Sequence, residues 1–393
     1  MIKETIKNII KNLIRIINWV LPKSDRIIIF ISTPDFSDNV KAMYEYLVSK
    51  KYQEKYKLIW LIYNKRNLDL LHLEKVDAYY VFSLKGIYLF MLAKFIFSSH
   101  ANLSSISIKK RQNHVCLWHG MPIKAVGYMR NELNKEELMG IKNINRGVSK
   151  FLATSRTTQI LLSSCLHLKN KDFIITGQPR NDKLFDRKLS EVKLKKLLPE
   201  LSKYDKLLLY APTFRDNSIN QSLLPFKDFN IYDLNTFLKE KNFILLIKFH
   251  PYFEEYIKFE DISNIKLITT KKLISKGYDL YDILAAIDIL ITDFSSIYFD
   301  FLLLNRPIIF LPYDRNDYNK YRGLLLEPYD FWTAGPKLYK YKDFINALIS
   351  EDNYAKKRNE INKIINLYND SLSSKRVENE VLLVGFINSC TGR

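Results

Sequence analysis

Short apolar runs recur along this chain, each separated from the next by a stretch of helical spacing, and that alternation limits the fold more than any other feature. "RIIIFIS", "YKLIWLIY", "AYYVF", "FIFSSH", "HVCLWHG", "FLATS" and "FIITG" form a first series rich in Ile, Val and aromatic residues. Stretches such as "DNVKAMYEYLVSKKY" and "LKGIYLFMLAKF" lie between them. A charged segment from Asp186 to Lys206 carries no strand signal, and alternation resumes with "KLLLYAPT", "FILLIKFH", "IKLITT", "ILITDFSS" and "PIIFLP". Runs that are apolar throughout, rather than at every second residue, suit strands buried on both faces of a parallel sheet. Two such series predict an α/β chain of two doubly wound, Rossmann-like domains facing a central cleft. The expected division is 1–24, 25–185, a connecting segment 186–205, and 206–393. A length of 393 residues agrees with two cores better than with one.

Residues 1–24 read differently. "MIKETIKNIIKNLIRIINWVLPKSD" places Lys3, Lys7, Lys11 and Arg15 four apart on one helical face, with Ile6, Ile9, Ile10, Leu13, Ile16, Ile17 and Val20 over much of the rest. Charges interrupt the apolar positions too often for a bilayer span, and no small-residue cleavage site follows. Two structures fit: a helix packed on the protein's own core, or an interfacial helix with Trp19 and the isoleucines in lipid and the basic stripe on anionic headgroups. The second is the expectation, supported by a net charge of +19 that calls for an anionic partner. The three cysteines, Cys116, Cys165 and Cys390, have no metal-like spacing and predict a reducing compartment without disulfides.

The polar residues that interrupt this pattern collect at strand ends, where open α/β sheets bind ligands. His119 precedes Gly120 after "VCLW"; Arg215 and Asp216 follow "LLLYAPTF"; Lys248 and His250 end "FILLIKFH"; Asp293, Ser295 and Ser296 end "ILITDFSS". Each has a plain structural alternative: a hydrogen-bonding histidine, an exposed ion pair, a helix N-cap before an amphipathic helix, a braced turn. Together they suit attack on a phosphate. Helix-start amides and serine hydroxyls match phosphate oxygens, Arg215 offers a fixed charged fork, and a histidine can accept the proton of an attacking alcohol. Asp293, which would repel a phosphate, is expected to support the loop. No Gly-x-Gly-x-x-Gly follows the first strand and no Walker loop occurs, which argues against a dinucleotide dehydrogenase and a P-loop ATPase. No metal-ligand spacing appears, and no cofactor is implied.

"LWHGMPIKAVG", "GQPRND", "YAPTFRD", "KFHP", "ITDFSSIYFDFLLLNRPIIFLPYD" and "YRG" occur in order from about His114 to Gly323. This collinear set resembles the CDP-glycerol glycerophosphotransferases of teichoic acid synthesis. The resemblance implies a GT-B-like fold, a peripheral site on the cytoplasmic face of the plasma membrane, and transfer of glycerol phosphate from CDP-glycerol to a lipid-linked glycerophosphate or saccharide acceptor, releasing CMP. It makes His119 the general base, with Arg215 and His250 holding and neutralising the diphosphate. Ser295 and Ser296 bind phosphate, Lys248 lies with the donor ligands, and Asp293 supports the turn. Asn181 and Asp182 would shape the connection between domains. Met121 departs from the family's usual threonine. The short N-terminus looks more like a single-addition primase than a long polymerase.

Other readings share parts of this pattern. A CDP-ribitol or other CDP-polyol transferase would differ only in its polyol pocket. A GT-B glycosyltransferase would release a nucleoside diphosphate instead of CMP. A nucleic-acid-binding protein would explain the charge, but no RNP-like aromatic motif or recognition helix is present, so nucleic acid is not an expected partner. A non-catalytic scaffold would be indifferent to His119. Homo-oligomer formation is left open.

Overall fold

The computed structural model describes residues 2–201, 203–213, 223–250, 254 and 262–383, with backbone only for residues 2–8 and 70. The chain divides into two compact units that are not simple halves of the sequence. The first comprises Met1–His119, Glu132–Asp182 and Leu367–Arg393; the second comprises Gly120–Asn131 and Lys183–Asn366.

Seven parallel strands form the sheet of the first unit: β1 (Ser24–Ile31), β2 (Lys57–Ile62), β3 (Ala78–Tyr80), β4 (Ala93–Ser98), β5 (Asn113–Cys116), β6 (Lys150–Ala153) and β7 (Phe173–Ile175). Their order is β3-β2-β1-β4-β5-β6-β7, with registers such as Phe30↔Trp60 and Phe97↔Val115. The chain winds outward from β1 to β3 and then restarts on the other side at β4, which makes β1/β4 the topological switch point. Successive residues of β1 serve opposite faces. Ile28 and Phe30 join Trp60, Phe97 and Val115 in one core, while Ile27, Ile29 and Ile31 join Ile59, Leu61 and Ile96 in another. Burial on both sides is why the run carries no polar alternation.

The first face is completed from far along the sequence by Val377, Val381 and Leu382. Their return is fixed by polar contacts. The Asp182 carboxylate accepts the amides of Ser373 and Ser374 at 2.8 Å each, at the start of the helix Ser373–Val377. Glu378 accepts the hydroxyls of Tyr46 and Tyr52. Gly177 permits the approach, since a Cβ there would lie 2.6 Å from Ser373 Oγ and its φ of +76° disfavours other residues.

Five parallel strands form the second sheet: β8 (Lys206–Tyr210), β9 (Phe243–Ile247), β10 (Ile265–Leu267), β11 (Ile289–Thr292) and β12 (Ile308–Phe310), ordered β10-β9-β8-β11-β12. Its switch point is β8/β11. Leu208, Tyr210, Leu245, Ile247, Ile291 and Phe344 belong to its core. The charged stretch after Asp186 is a helix, Arg187–Leu197, capped by the Asp186 carboxylate.

The N-terminal helix, α1 (Ile2–Val20), meets its unit with its polar side. Asn18 is fully buried, its Nδ2 donating to Ile106 O at 2.7 Å and Gln112 Oε1 at 2.9 Å, while Ile14 touches the core. Lys23 and Arg111 satisfy the carbonyls of Asn18 and Trp19 at the helix end. Ile9, Ile10, Leu13, Ile16, Trp19 and Val20 are all exposed. The basic stripe expected on headgroups is not outward at its described members: Arg15 Nη1 turns in to Ser107 O at 2.7 Å, and Lys11 is half-buried. Among the described residues, no helix is long and apolar enough to cross a membrane.

Candidate active site

Both sheets end in a polar turn at or beside the switch point, and the two turns are built differently. In the first unit β5 ends at Cys116 and the chain turns through Trp118, which has a φ of +56°, to Gly120 at +115°. A large side chain in the left-handed region needs outside support. Asn39, fully buried in the helix α2 (Asp38–Ser49), donates its Nδ2 to Leu117 O at 3.2 Å, Trp118 O at 3.0 Å and Gln178 Oε1 at 3.0 Å. Arg180 Nη2 donates to His119 O at 3.0 Å, and its Nη1 pairs with Asp38 at 2.6 Å. His119 is thus held through its own backbone, leaving its half-buried ring to be oriented by neighbours.

One neighbour is a second imidazole. His100, just beyond β4, stacks on His119 with centroids 4.2 Å apart and planes 14° apart. Trp118 lies against the same ring at 4.1 Å. Ser99 Oγ meets His100 Nδ1 at 2.8 Å, and His100 N–H donates to Asn102 Oδ1 at 3.1 Å. Although the outer edge of His100 is exposed, burial against the protein lowers its pKa, opposed by Asp38 and reinforced by Arg180. Beneath the turn, His114 of β5 is completely buried against Ser98 Oγ at 2.9 Å, and burial pushes its pKa down to about 3.

In the second unit the turn after β11 is braced from within. Asp293, almost wholly buried, receives three donors on one oxygen: the Thr213 amide at 2.8 Å, the Thr213 hydroxyl at 2.6 Å and the Phe294 amide at 2.6 Å. Its carbonyl accepts Tyr329 Oη at 2.9 Å. The carboxylate therefore ties the end of β8 to the end of β11 across the switch point. Ser295 and Ser296 follow, half-buried. Neither caps a helix: Ser296 precedes the helix Ile297–Phe301 in an αR conformation without a side-chain cap. Among the described residues, neither serine hydroxyl and none of the amides of Ser295, Ser296 and Ile297 has an acceptor. The turn presents these donors, while Oδ1 of Asp293 is turned inward to Thr213. That arrangement suits an anion.

The helix after this turn differs from the amphipathic one expected. Ile297, Tyr298, Phe299, Asp300 and Phe301 are all buried. Asp300, which made the run read as two-faced, accepts Tyr281 Oη at 2.6 Å inside the protein. A satisfied carboxylate is tolerated in the core, so sequence polarity misreports its exposure.

Lys248, beyond β9, is buried with its ammonium held by Glu254, by Phe249 O at 2.8 Å and by Thr270 Oγ1 at 3.1 Å. Burial lowers its pKa while Glu254 raises it. These contacts make Lys248 a brace of the β9 loop. His250 is exposed on that loop. Arg215 and Asp216 lie outside the described residues. Met121 is buried, one residue past the His turn's glycine. Among the described residues no cluster of His, Cys, Asp or Glu could hold a metal ion.

Sequence reasoning missed His100, Asn39, Gln178 and Arg180. Gln178 and Arg180 lie inside "GQPRND", so the motif was visible although its target was not. Nothing local marks Asn39 or His100.

Residues 13–383 match the family model for CDP-glycerol:poly(glycerophosphate) glycerophosphotransferase. A teichoic acid poly(glycerol phosphate) polymerase of Bacillus spizizenii is 31% identical over 387 residues, covering 92% of this chain and 93% of the relative. A teichoic acid poly(ribitol-phosphate) polymerase of the same organism is 27% identical over 92% of this chain and 56% of its own length. Among solved structures, one of the wall teichoic acid polymerase TagF aligns with a TM-score of 0.78 and 21% identity, over 96% of this chain and 94% of that one, a likeness of fold.

Proposed function

The chain belongs to the CDP-glycerol:poly(glycerophosphate) glycerophosphotransferase family, and from that premise we propose that it transfers glycerol phosphate from CDP-glycerol to a hydroxyl of a lipid-linked or polymer acceptor, in synthesis of a teichoic acid or a related cell-surface polymer. The observation that carries this reading is the serine turn after β11, where unengaged donors stand over an inward-facing carboxylate. Ser295, Ser296 and the adjacent amides hold the donor diphosphate, and Arg215 and His250 add positive charge. His119 takes the proton as the acceptor oxygen bonds to the phosphorus bearing glycerol. The bond from that phosphorus to the bridging oxygen breaks, and CMP leaves with the electron pair. The first unit is then the acceptor side and the second the donor side. The GT-B arrangement is part of this reading, because the histidine turn and the serine turn belong to different units. So is a peripheral position on the cytoplasmic face of the plasma membrane, supported by the outward apolar face of α1.

The test is CMP release from CDP-glycerol with a lipid-linked glycerol-phosphate acceptor. Release should require acceptor and fall about 10²- to 10⁴-fold in His119→Ala, with donor affinity little changed. Near-normal turnover in folded His119→Ala would remove the base assignment. Several relatives are ribitol-phosphate polymerases or primases, so CDP-ribitol is the paired substrate. Release from CDP-ribitol alone would replace glycerol as the polyol, and release of a nucleoside diphosphate from a nucleotide sugar would replace the reaction.

A further inference from the structure

A basic cavity opens beside the second half of α1, within the first unit. Its volume is about 820 Å³, and Asn12, Arg15, Trp19, Lys109, Lys110 and Arg146 line it. Three separate segments supply these residues: α1, the turn before β5, and the last turn of the helix Lys135–Gly147. Among the described residues, Lys109 is the one lining cation paired with a carboxylate, Asp172 at 2.9 Å. Among the described residues, Arg15, Lys110 and Arg146 have no carboxylate partner. Burial, and then the charge of Arg146, lowers the pKa of Arg15, so the two guanidinium groups feel each other. Like charges gathered around a concavity are unfavourable unless an anion enters. The helix end does not require them, because Lys23 and Arg111 already serve its carbonyls.

We propose that this cavity binds the phosphate headgroup of an anionic membrane lipid. Arg15, Lys110 and Arg146 take the phosphate oxygens, while Trp19 lies at the level of the headgroups. The argument for a lipid, rather than a soluble phosphate, is continuity with the adjoining surface. Ile16 and Trp19 belong both to the cavity wall and to the exposed apolar side of α1. An amphiphile with its phosphate in the cavity would lay its chains along Ile9, Leu13 and Ile16. The proposal rests on the membrane-surface reading of α1 and is independent of the transfer chemistry.

Vesicle co-sedimentation of the full chain tests it, using phosphatidylcholine vesicles with and without phosphatidylglycerol. Lys110→Gln/Arg146→Gln removes two charges without touching the Arg15–Ser107 contact. It should weaken binding to phosphatidylglycerol vesicles about 10- to 30-fold, since each basic group near such a surface contributes about 1 kcal/mol. The control Lys51→Gln/Lys55→Gln, the same charge change elsewhere on this unit, should lose less than threefold. CMP release on a soluble acceptor should be unchanged in both. Equal losses in the two pairs would overturn the pocket in favour of diffuse charge. Loss of inorganic phosphate binding with unchanged vesicle binding would overturn the lipid assignment. Ile9→Ser/Leu13→Ser separates the premises. If it abolishes vesicle binding and the pocket pair does not, the pocket fails and the membrane reading stands; if neither matters, both fail.

Discussion

The histidine turn and the serine turn end comparable parallel strands, yet one is held from a distance and the other from within. The backbone carbonyls of Trp118 and His119 are bonded by Asn39 and Arg180, which stand 79 and 61 residues away. The serine turn contains its own brace, because Asp293 is part of it and reaches the neighbouring strand end at Thr213. Under the proposed function the difference matches what each turn would present: a half-buried imidazole acting as base needs its backbone fixed by groups from elsewhere, and an anion site needs free N–H groups with its bracing carboxylate oxygen facing inward.

Substitutions at the two sets of anchors should therefore differ in kind. Asn39→Ala removes four hydrogen bonds, three donated by its Nδ2 and one its Oδ1 accepts from the Arg180 amide, and leaves carbonyls of the histidine turn unpaired. It should cost about 2–4 kcal/mol in denaturant unfolding and lower turnover about 100-fold with donor KM nearly unchanged. A rise in KM alone would mean that the histidine turn does not depend on its remote support.

Acid separates the two sheets next. With a pKa of about 3 folded and about 6.5 unfolded, His114 is neutral in the native core, and the unfolded chain binds the extra proton between those values. Its contribution is complete above pH 6.5 and is lost as pH falls toward 3, amounting to about 2 kcal/mol lost by pH 5. His114→Gln should flatten the pH dependence of urea unfolding from pH 7 to 5. An unchanged slope would place the acid sensitivity elsewhere.

Asp293→Asn keeps the shape of the inner brace but removes its charge and one acceptor. A stability loss of about 1–2 kcal/mol should accompany a raised donor KM, because in the proposed function the turn it supports holds the donor diphosphate. The smallest effect on stability belongs to Ser295→Ala/Ser296→Ala. Neither serine caps the helix, so the thermal midpoint should move by less than about 0.5 kcal/mol equivalent while donor KM rises about tenfold. A large stability loss would show that the serines are structural.

The strands were legible because a parallel sheet buries both faces and leaves an unbroken apolar run as its signature. All twelve expected runs contain a strand of the two sheets. The strand-end positions of His119, Asp293, Ser295 and Ser296 followed from that. The partners of Lys248 were not legible, because a charge in sequence carries no record of its partner, and Glu254 and Thr270 reach it only in the folded loop. The buried helix Ile297–Phe301 was misread for the same reason, through Asp300 and Tyr281.

By itself, then, the sequence determined the two βαβ series, the polar strand ends and the two-sided N-terminal helix, since these depend on the order and spacing of nearby residues. Tertiary structure alone decided that His100 would stack on His119, that Asn39 and Arg180 would hold its turn, and that α1 would turn its polar side inward. Those outcomes depend on strand order. The sequence β3-β2-β1-β4-β5-β6-β7 brings residues as far apart as Asp38 and Arg180 to one sheet edge, and no local pattern encodes which loops will meet there.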